Sequence, residues 1–408
     1  MRFLILAAIL LAIDGYAFLA IRMIINDWPV VLKYAFFGLY WMTPIVALLF
    51  VATSLGQELE EWNKSAYVYL RTFLFIAYAS KLFILPIVLI DDARRLGAML
   101  YSKMVAPGAV DPSRSKFLSR TGVFFGAIPF VTLMYGLVRN PYRYKVFTEK
   151  VALHKLPAAL RGLRIVQISD IHSGSFTFKE PVKEAIQMIN DLKPDIILFT
   201  GDLVNERADE MDRFIDVFDK ISAPYGIYSV LGNHDYGDYH HWESQEAKEQ
   251  NLEKLKETHR QLGWTLLNNE NRLLEIKGES VAVIGVENYS AHPRFPKYGD
   301  LAKARQGADD AKLKLLLSHD PSHWKEQVTS EHNDIDITFS GHTHGMQFGV
   351  EIPGWIKWSP IQYVYKQWAG LYQNGNQYLY VNRGLGFHGY PGRVGILPEI
   401  TCIELESA

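Results

Sequence analysis

The chain has 408 residues, 49% hydrophobic and 21% charged, a length beyond one simple core and too apolar in places for a single soluble domain. Its 42 Lys and Arg nearly balance 44 Asp and Glu, a net of -2, whereas a nucleic-acid scaffold needs a large basic excess; no nucleic-acid partner is expected. The only cysteine, Cys402, excludes an internal disulfide and a thiolate metal cluster. All 13 histidines fall between His154 and His388, so the chain divides into an apolar front and a polar back.

Four apolar stretches, 3–21, 34–54, 66–90 and 121–138, approach the roughly 20 residues that cross about 30 Å of hydrocarbon. The first begins after Arg2 but lacks a small-residue cleavage site, so it reads as a span and not as a signal peptide. Arg71 and Lys81 interrupt the third; they are expected to snorkel or to face the bundle interior, paired with Asp14. Structural pairing is preferred over transport, since no repeated span architecture is visible. The 55–65 loop is acidic (Glu58, Glu60, Glu61), and the 91–120 loop is rich in Arg and Lys. The positive-inside rule then puts the 91–120 loop in the cytoplasm and the back domain outside, although Arg139, Arg143 and Lys145 oppose this. The expectation is a multi-pass protein of a bacterial cell membrane, with a transmembrane domain over 1–140 and a second domain over 150–408.

The back domain alternates strands and helices. Strands are expected at 163–169, 195–200, 226–231, 281–286, 313–318, 335–340, 378–381 and 401–405. Helices are expected at 179–192, where Val182, Ala185, Ile186 and Ile189 share a face, at 206–221, and at 244–262, which is highly charged. The surplus of strands toward the end indicates two facing sheets with helices outside.

Polar clusters follow the strands: Asp170-Ile171-His172, Gly201-Asp202, Gly232-Asn233-His234-Asp235, His319-Asp320 and Gly341-His342-Thr343-His344. Side chains converge at the carboxyl ends of strands in α/β sheets. Two carboxylates, one amide and four imidazoles without sulfur suit Mn, Fe or Zn, and seven groups suit two ions sharing one carboxylate. Glycines at 201, 232 and 341 let the chain turn sharply there. His154, His259 and His332 read as ordinary polar residues.

At these clusters the sequence resembles the calcineurin-like metallophosphoesterases. Gly341 to Gln347, followed by Asn382-Arg383-Gly384-Leu385-Gly386 and Pro398-Glu399-Ile400, resembles the membrane-associated branch that includes UDP-diacylglucosamine hydrolases; Met346 stands where that branch commonly has glycine. The resemblance implies a four-layer αββα sandwich behind a transmembrane helical bundle. It implies two divalent cations, Mn first, with Fe, Zn or Mg as alternatives. One cation takes Asp170, His172 and His344, the other Asn233, His319 and His342, with Asp202 between them. It also implies in-line attack of a held water on phosphorus, with His234 contacting a phosphate oxygen or protonating the leaving oxygen and Asp235 orienting its ring.

Arg383 and Arg393 are candidates for gripping a second phosphate or a carboxylate, and His388 for lining the entrance. Residues 355–368, with Trp355, Trp358, Tyr363 and Trp368, look like an interface-seeking element offering Lys357 and Lys366 to headgroups. The expected activity is hydrolysis of a phosphoester or pyrophosphate bond in a phosphorylated lipid or other membrane-proximal substrate. A tethered enzyme for soluble nucleotides or phosphoproteins, and a non-enzymatic signalling or transport protein with a regulatory metal domain, remain open at this level.

Overall fold

The structure is a computed structural model that describes residues 2–54, 64–104, 113–352 and 354–408. The acidic stretch at Glu58, Glu60 and Glu61 lies outside the described residues. The chain divides into two compact units, Met1–Tyr135 and Gly136–Ala408.

The first unit holds α1 (Arg2–Ile25), α2 (Val30–Ser54), α3 (Lys64–Met104) and most of α4 (Lys116–Arg139). All four are long and apolar enough to cross a membrane. Their outward surface carries Leu4, Val31, Leu39, Phe83 and Val131, the reverse of a water-soluble bundle. The interior holds the charges. Lys81 pairs with Asp14, both buried, while the Tyr78 hydroxyl donates to Asp14 Oδ2 at 2.6 Å and the Tyr40 hydroxyl to the Asp14 carbonyl at 2.7 Å. Arg71 takes a different partner, the ring of Tyr67. The third span does not stop near 90: α3 is 41 residues, about 60 Å at 1.5 Å per residue, and includes Arg94, Arg95 and Lys103, expected in a loop. Within that extension Asp91 is buried and accepts from Arg94, Arg114 and the Ser115 amide.

The second unit is built on two six-stranded sheets and a ribbon. Sheet one runs in the order β1 (Lys145–Leu153), β14 (Glu399–Ser407), β2 (Arg164–Ile168), β3 (Ile196–Phe199), β4 (Ile227–Ser229), β5 (Thr265–Leu266). Sheet two runs β12 (Gly370–Asn374), β13 (Gln377–Val381), β9 (Ile337–Ser340), β8 (Leu313–Leu317), β7 (Glu279–Gly285), β6 (Glu270–Ile276). The separate ribbon pairs β10 (Val350–Ile352) with β11 (Ile356–Trp358). The helices α5 (Lys179–Asp191) and α6 (Gln245–Gln261) belong to sheet one.

Strand periodicity builds the layers. Ile165, Ile196 and Leu198 face sheet two's Val283, Leu315, Leu317 and Phe339 in one buried cluster. Their neighbours Val166, Ile168, Ile197 and Phe199 turn outward onto Val182, Ile186 and Ile189 of α5. On the far side Ile284, Leu316 and Val381 pack against Trp324 and Val328 of a short helical turn. The result is the mixed-sheet α/β sandwich expected, four layers deep, preceded by four long apolar helices. Two expectations change. Residues 206–221 hold only short turns, Ala208–Met211 and Ile215–Phe218, and no continuous helix. Strand β1, unread in the sequence, pairs in parallel with β14 over its whole length.

Candidate metal centre

The carboxyl ends of β2, β3 and β4 open toward those of β8 and β9, and the polar clusters of the sequence meet in the gap between the two sheets. Asp170, His172, Asp202, Asn233, His319 and His344 are buried, His342 nearly so. Ligand atoms of Asp170, His172 and His344 all lie within 4.8 Å of one another, as do those of Asp170, Asp202 and His319. His172 Nε2 faces His344 Nε2 at 3.0 Å, and His344 Nε2 stands 3.2 Å from Asp170 Oδ1. His319 Nε2 lies 3.1 Å from Asp202 Oδ2, which is also 3.6 Å from His172 Nε2. On the other side Asn233 Oδ1 is 2.8 Å from His342 Nδ1.

Close approach of the loops explains two glycines. A Cβ on Gly232 would fall 2.2 Å from Asp202 Oδ1, and one on Gly341 2.2 Å from Asp170 Oδ2. The backbone is strained as well: Asp170, His172, Asp202, His342 and His344 all adopt left-handed φ values between 46° and 70° without being glycine. Such strain survives only where surrounding structure enforces it and collects at functional sites.

Two nitrogens facing each other at 3.0 Å, two buried carboxylates and buried ring nitrogens without a hydrogen-bond partner, His172 Nδ1 and His319 Nε2, leave the site unsatisfied by protein groups alone. Hard-to-borderline divalent cations are the ligands this donor set fits. Burial opposes the charge on Asp170 and Asp202, yet neighbouring histidines, His344 and His319 respectively, hold both carboxyls below their usual range. Burial drives His172 and His342 toward the neutral form that ligates metal. For His319 burial acts in the same sense, but the Asp202 charge outweighs it and raises the ring to about 10.

The next ring of groups was mostly missed in the sequence. The Tyr365 hydroxyl donates to Asp320 Oδ2 at 3.1 Å and lies 2.9 Å from His342 Nε2, fixing that ring's orientation. His319 Nδ1 is held by the Thr200 carbonyl at 2.7 Å, and Asn233 Nδ2 donates to Tyr239 at 3.0 Å, which leaves Asn233 Oδ1 for the site. Asp320 alone had a visible signal, its place beside His319.

His234 stands at the mouth, but Asp235 does not orient its ring. The Asn205 carbonyl does, 2.8 Å from His234 Nδ1. Asp235 instead accepts from the amides of Asp202, Leu203, Val204 and Gly232, clamping two ligand loops together. Burial and the Asp202 charge raise its carboxyl to about 7. Neither arginine is placed to grip substrate. Arg383 is buried between Glu399 and Glu351. Arg393 is fully buried, donates to the carbonyls of Gly384, Gly386 and Leu397, and lies 3.4 Å from His344 Nδ1. Burial lowers it to about 10. His388 is exposed at the entrance, its ring stacked on His172 at 5.0 Å and 4.5 Å from that of His234.

Comparison with known proteins agrees with this geometry. Residues 1–141 match the family profile "Probable Calcineurin-like phosphoesterase, transmembrane domain", and residues 163–346 match "Calcineurin-like phosphoesterase". The "Transmembrane protein with metallophosphoesterase domain" of Danio rerio is 30% identical over 323 residues, covering 77% of this chain and 68% of that protein. An uncharacterized metallophosphoesterase of Bacillus subtilis (strain 168) is 29% identical over 305 residues, covering 72% of this chain and 98% of its own length. The Bos taurus counterpart of the Danio protein is 28% identical, with 74% and 66% coverage. Relatives in vertebrates and a bacterium remove the ground for a bacterial origin; multi-pass membrane topology stands. The paired donor clusters at the strand ends and a 30% identical relative covered over two thirds of its length lead to one conclusion: the chain belongs to the transmembrane calcineurin-like metallophosphoesterases, metal-dependent hydrolases of phosphoesters.

Proposed function

We propose that the protein hydrolyses a phosphoester or pyrophosphate bond in a lipid-linked or otherwise membrane-proximal substrate, with the catalytic unit outside the cytoplasm. The observation that carries this reading is a buried two-cluster donor set in a chain whose first 139 residues hold four membrane-length helices. A UDP-diacylglucosamine-type pyrophosphate is one member of that substrate class.

Asp170, His172 and His344 would hold one cation, Asn233, His319 and His342 the other, and Asp202 both; Mn suits the set, and Fe, Zn or Mg are compatible with it. Cations held there would supply an activated water and charge to offset that on the phosphoryl oxygens. The chain's own groups do the rest. Asp235 fixes the Asp202 and Gly232 loops so that the donors stay converged. With Nδ1 engaged by the Asn205 carbonyl, His234 has Nε2 left to serve the leaving oxygen as proton donor. His388, beside it and stacked on His172, lines the same entrance.

The test uses purified full-length protein with Mn and a panel of phospholipid phosphates, nucleotide-sugar lipids and soluble esters. Asp202→Asn keeps the shape but loses the shared charge, and turnover on every substrate should fall by about a thousandfold or more. Retained turnover in that variant would remove the mechanism. Activity on soluble esters alone would keep the chemistry and remove the lipid.

A further inference from the structure

The β10–β11 ribbon is amphipathic the wrong way round for water. Its register pairs Val350 with Trp358, Glu351 with Lys357 and Ile352 with Ile356, and cross-strand partners share a face. The charged pair is tied back to the protein: half-buried Glu351 meets Arg383, and Lys357, itself exposed, has its ammonium engaged by the Ala369 carbonyl and so is not free for headgroups as expected. The apolar pairs point out. Trp355 at the turn is 77% exposed, and Tyr363 just beyond is 74% exposed, while Tyr365 and Trp368 enter the core. Most large apolar side chains exposed beyond residue 140 lie between 346 and 364, a contiguous patch of the kind that marks an interaction surface.

The same unit contains the last turn of α4, and the ribbon is joined to it. Arg393 N donates to the Gly136 carbonyl at 3.1 Å, and Asn140 Nδ2 to the Arg393 carbonyl at 2.8 Å. Val394 N then bonds the Gln347 carbonyl at 2.7 Å, and Gly349 N, next to β10, bonds the Val394 carbonyl at 2.9 Å. Residues 393 and 394 thus tie the Gly136–Asn140 stretch to the start of the ribbon. Trp and Tyr are the residues that settle at the water–lipid boundary, and exposed Lys366 suits anionic headgroups.

We propose that residues 346–364 form a docking face that rests on the bilayer into which α4 inserts, and that this holds the mouth of the metal centre against lipid headgroups. Met346, 55% exposed, begins this face two residues after His344, so docking and ligand loops are one piece of chain. The docking itself is independent of hydrolysis; its catalytic consequence rests on the membrane-proximal substrate proposed above.

Site-specific labels test it. Cys402, the only cysteine, is buried, so Trp355→Cys, Tyr363→Cys and, as control, exposed Leu273→Cys can each carry an environment-sensitive fluorophore. The full chain is placed in vesicles of phosphatidylcholine and phosphatidylglycerol. Labels at 355 and 363 should be quenched by lipid-borne nitroxide and shielded from aqueous iodide, and the label at 273 the reverse. Labels at 355 and 363 as open to iodide as that at 273 would overturn the proposal. So would shielding from both quenchers, which means that another protein surface covers the face. The double variant Trp355→Ser and Tyr363→Ser should lose about tenfold in turnover of vesicle phospholipid phosphates, with less than about twofold change on p-nitrophenyl phosphate. An unchanged rate on vesicles overturns the catalytic role of docking. Lipid quenching in a protein that hydrolyses no lipid would uphold the docking and remove the lipid-linked substrate.

Discussion

Tyr365 reaches the metal centre from a segment that the sequence marks as interface-seeking. Its hydroxyl holds Asp320 and stands against His342 Nε2, and burial with the Asp320 charge keeps that phenol protonated. Tyr365→Phe keeps the packing and removes the tether, so Mn affinity should weaken about tenfold, read by calorimetric titration. Unchanged affinity would make the hydroxyl merely structural. A second residue links acid to stability. His259, expected to be an ordinary polar residue, is fully buried, its Nδ1 3.0 Å from Ser229 Oγ, and burial lowers it to about 3. The unfolded chain therefore binds a proton that the folded chain refuses. Stability is full above the ordinary value of 6.5 and falls as pH drops toward 3, by up to roughly 1.4 kcal/mol per unit. Thermal melts in chelator at pH 7, 6 and 5 should show this decline, flattened in His259→Gln. Residues in short motifs at strand ends were legible because the chain itself sets their neighbours. Arg383, Arg393 and Asp235 were misread because their partners, Glu351 and Glu399, the 384–386 carbonyls and the amides of Asp202 to Val204, arrive through folding.

At the scale of elements, the membrane helices answer to length and charge. Asp14 and Lys81 were paired from sequence because two charges in apolar runs have few other partners, and the structure adds Tyr40 and Tyr78 around them. Removing one member strands the other, so Asp14→Asn or Lys81→Met should each cost about 3 kcal/mol, and the double variant less than either. Thermal unfolding in detergent micelles measures this. The long, strongly periodic elements such as α5 were legible. The helix expected at 206–221 was not formed, because Ala208, Met211, Phe214, Val217 and Phe218 are buried by irregular turns as well as a helix would bury them. Strand β1 was hidden by its basic residues, Lys145 and Lys150, which sit on its exposed positions.

For the whole molecule, metal and fold are linked. Buried donors that repel one another without a cation make the catalytic unit more stable when loaded, by about 2.7 kcal/mol at a hundredfold excess over Kd. Chelation should lower the melting temperature of the wild type clearly and that of Asp202→Asn much less, read by differential scanning calorimetry. The four-layer arrangement was legible from alternating strands, whereas the order of strands within each sheet was not, since pairing partners lie far apart in the chain.

The parallel pairing of 145–153 with 399–407 carries a consequence for synthesis. Strand β14 lies between β1 and β2, so the sheet that presents Asp170, His172 and Asp202 has a vacant slot until that segment emerges from the ribosome. The apolar helices leave the exit tunnel some 260 residues earlier and can insert into lipid while the hydrolase remains an open chain, about 13–50 seconds at ordinary translation speeds.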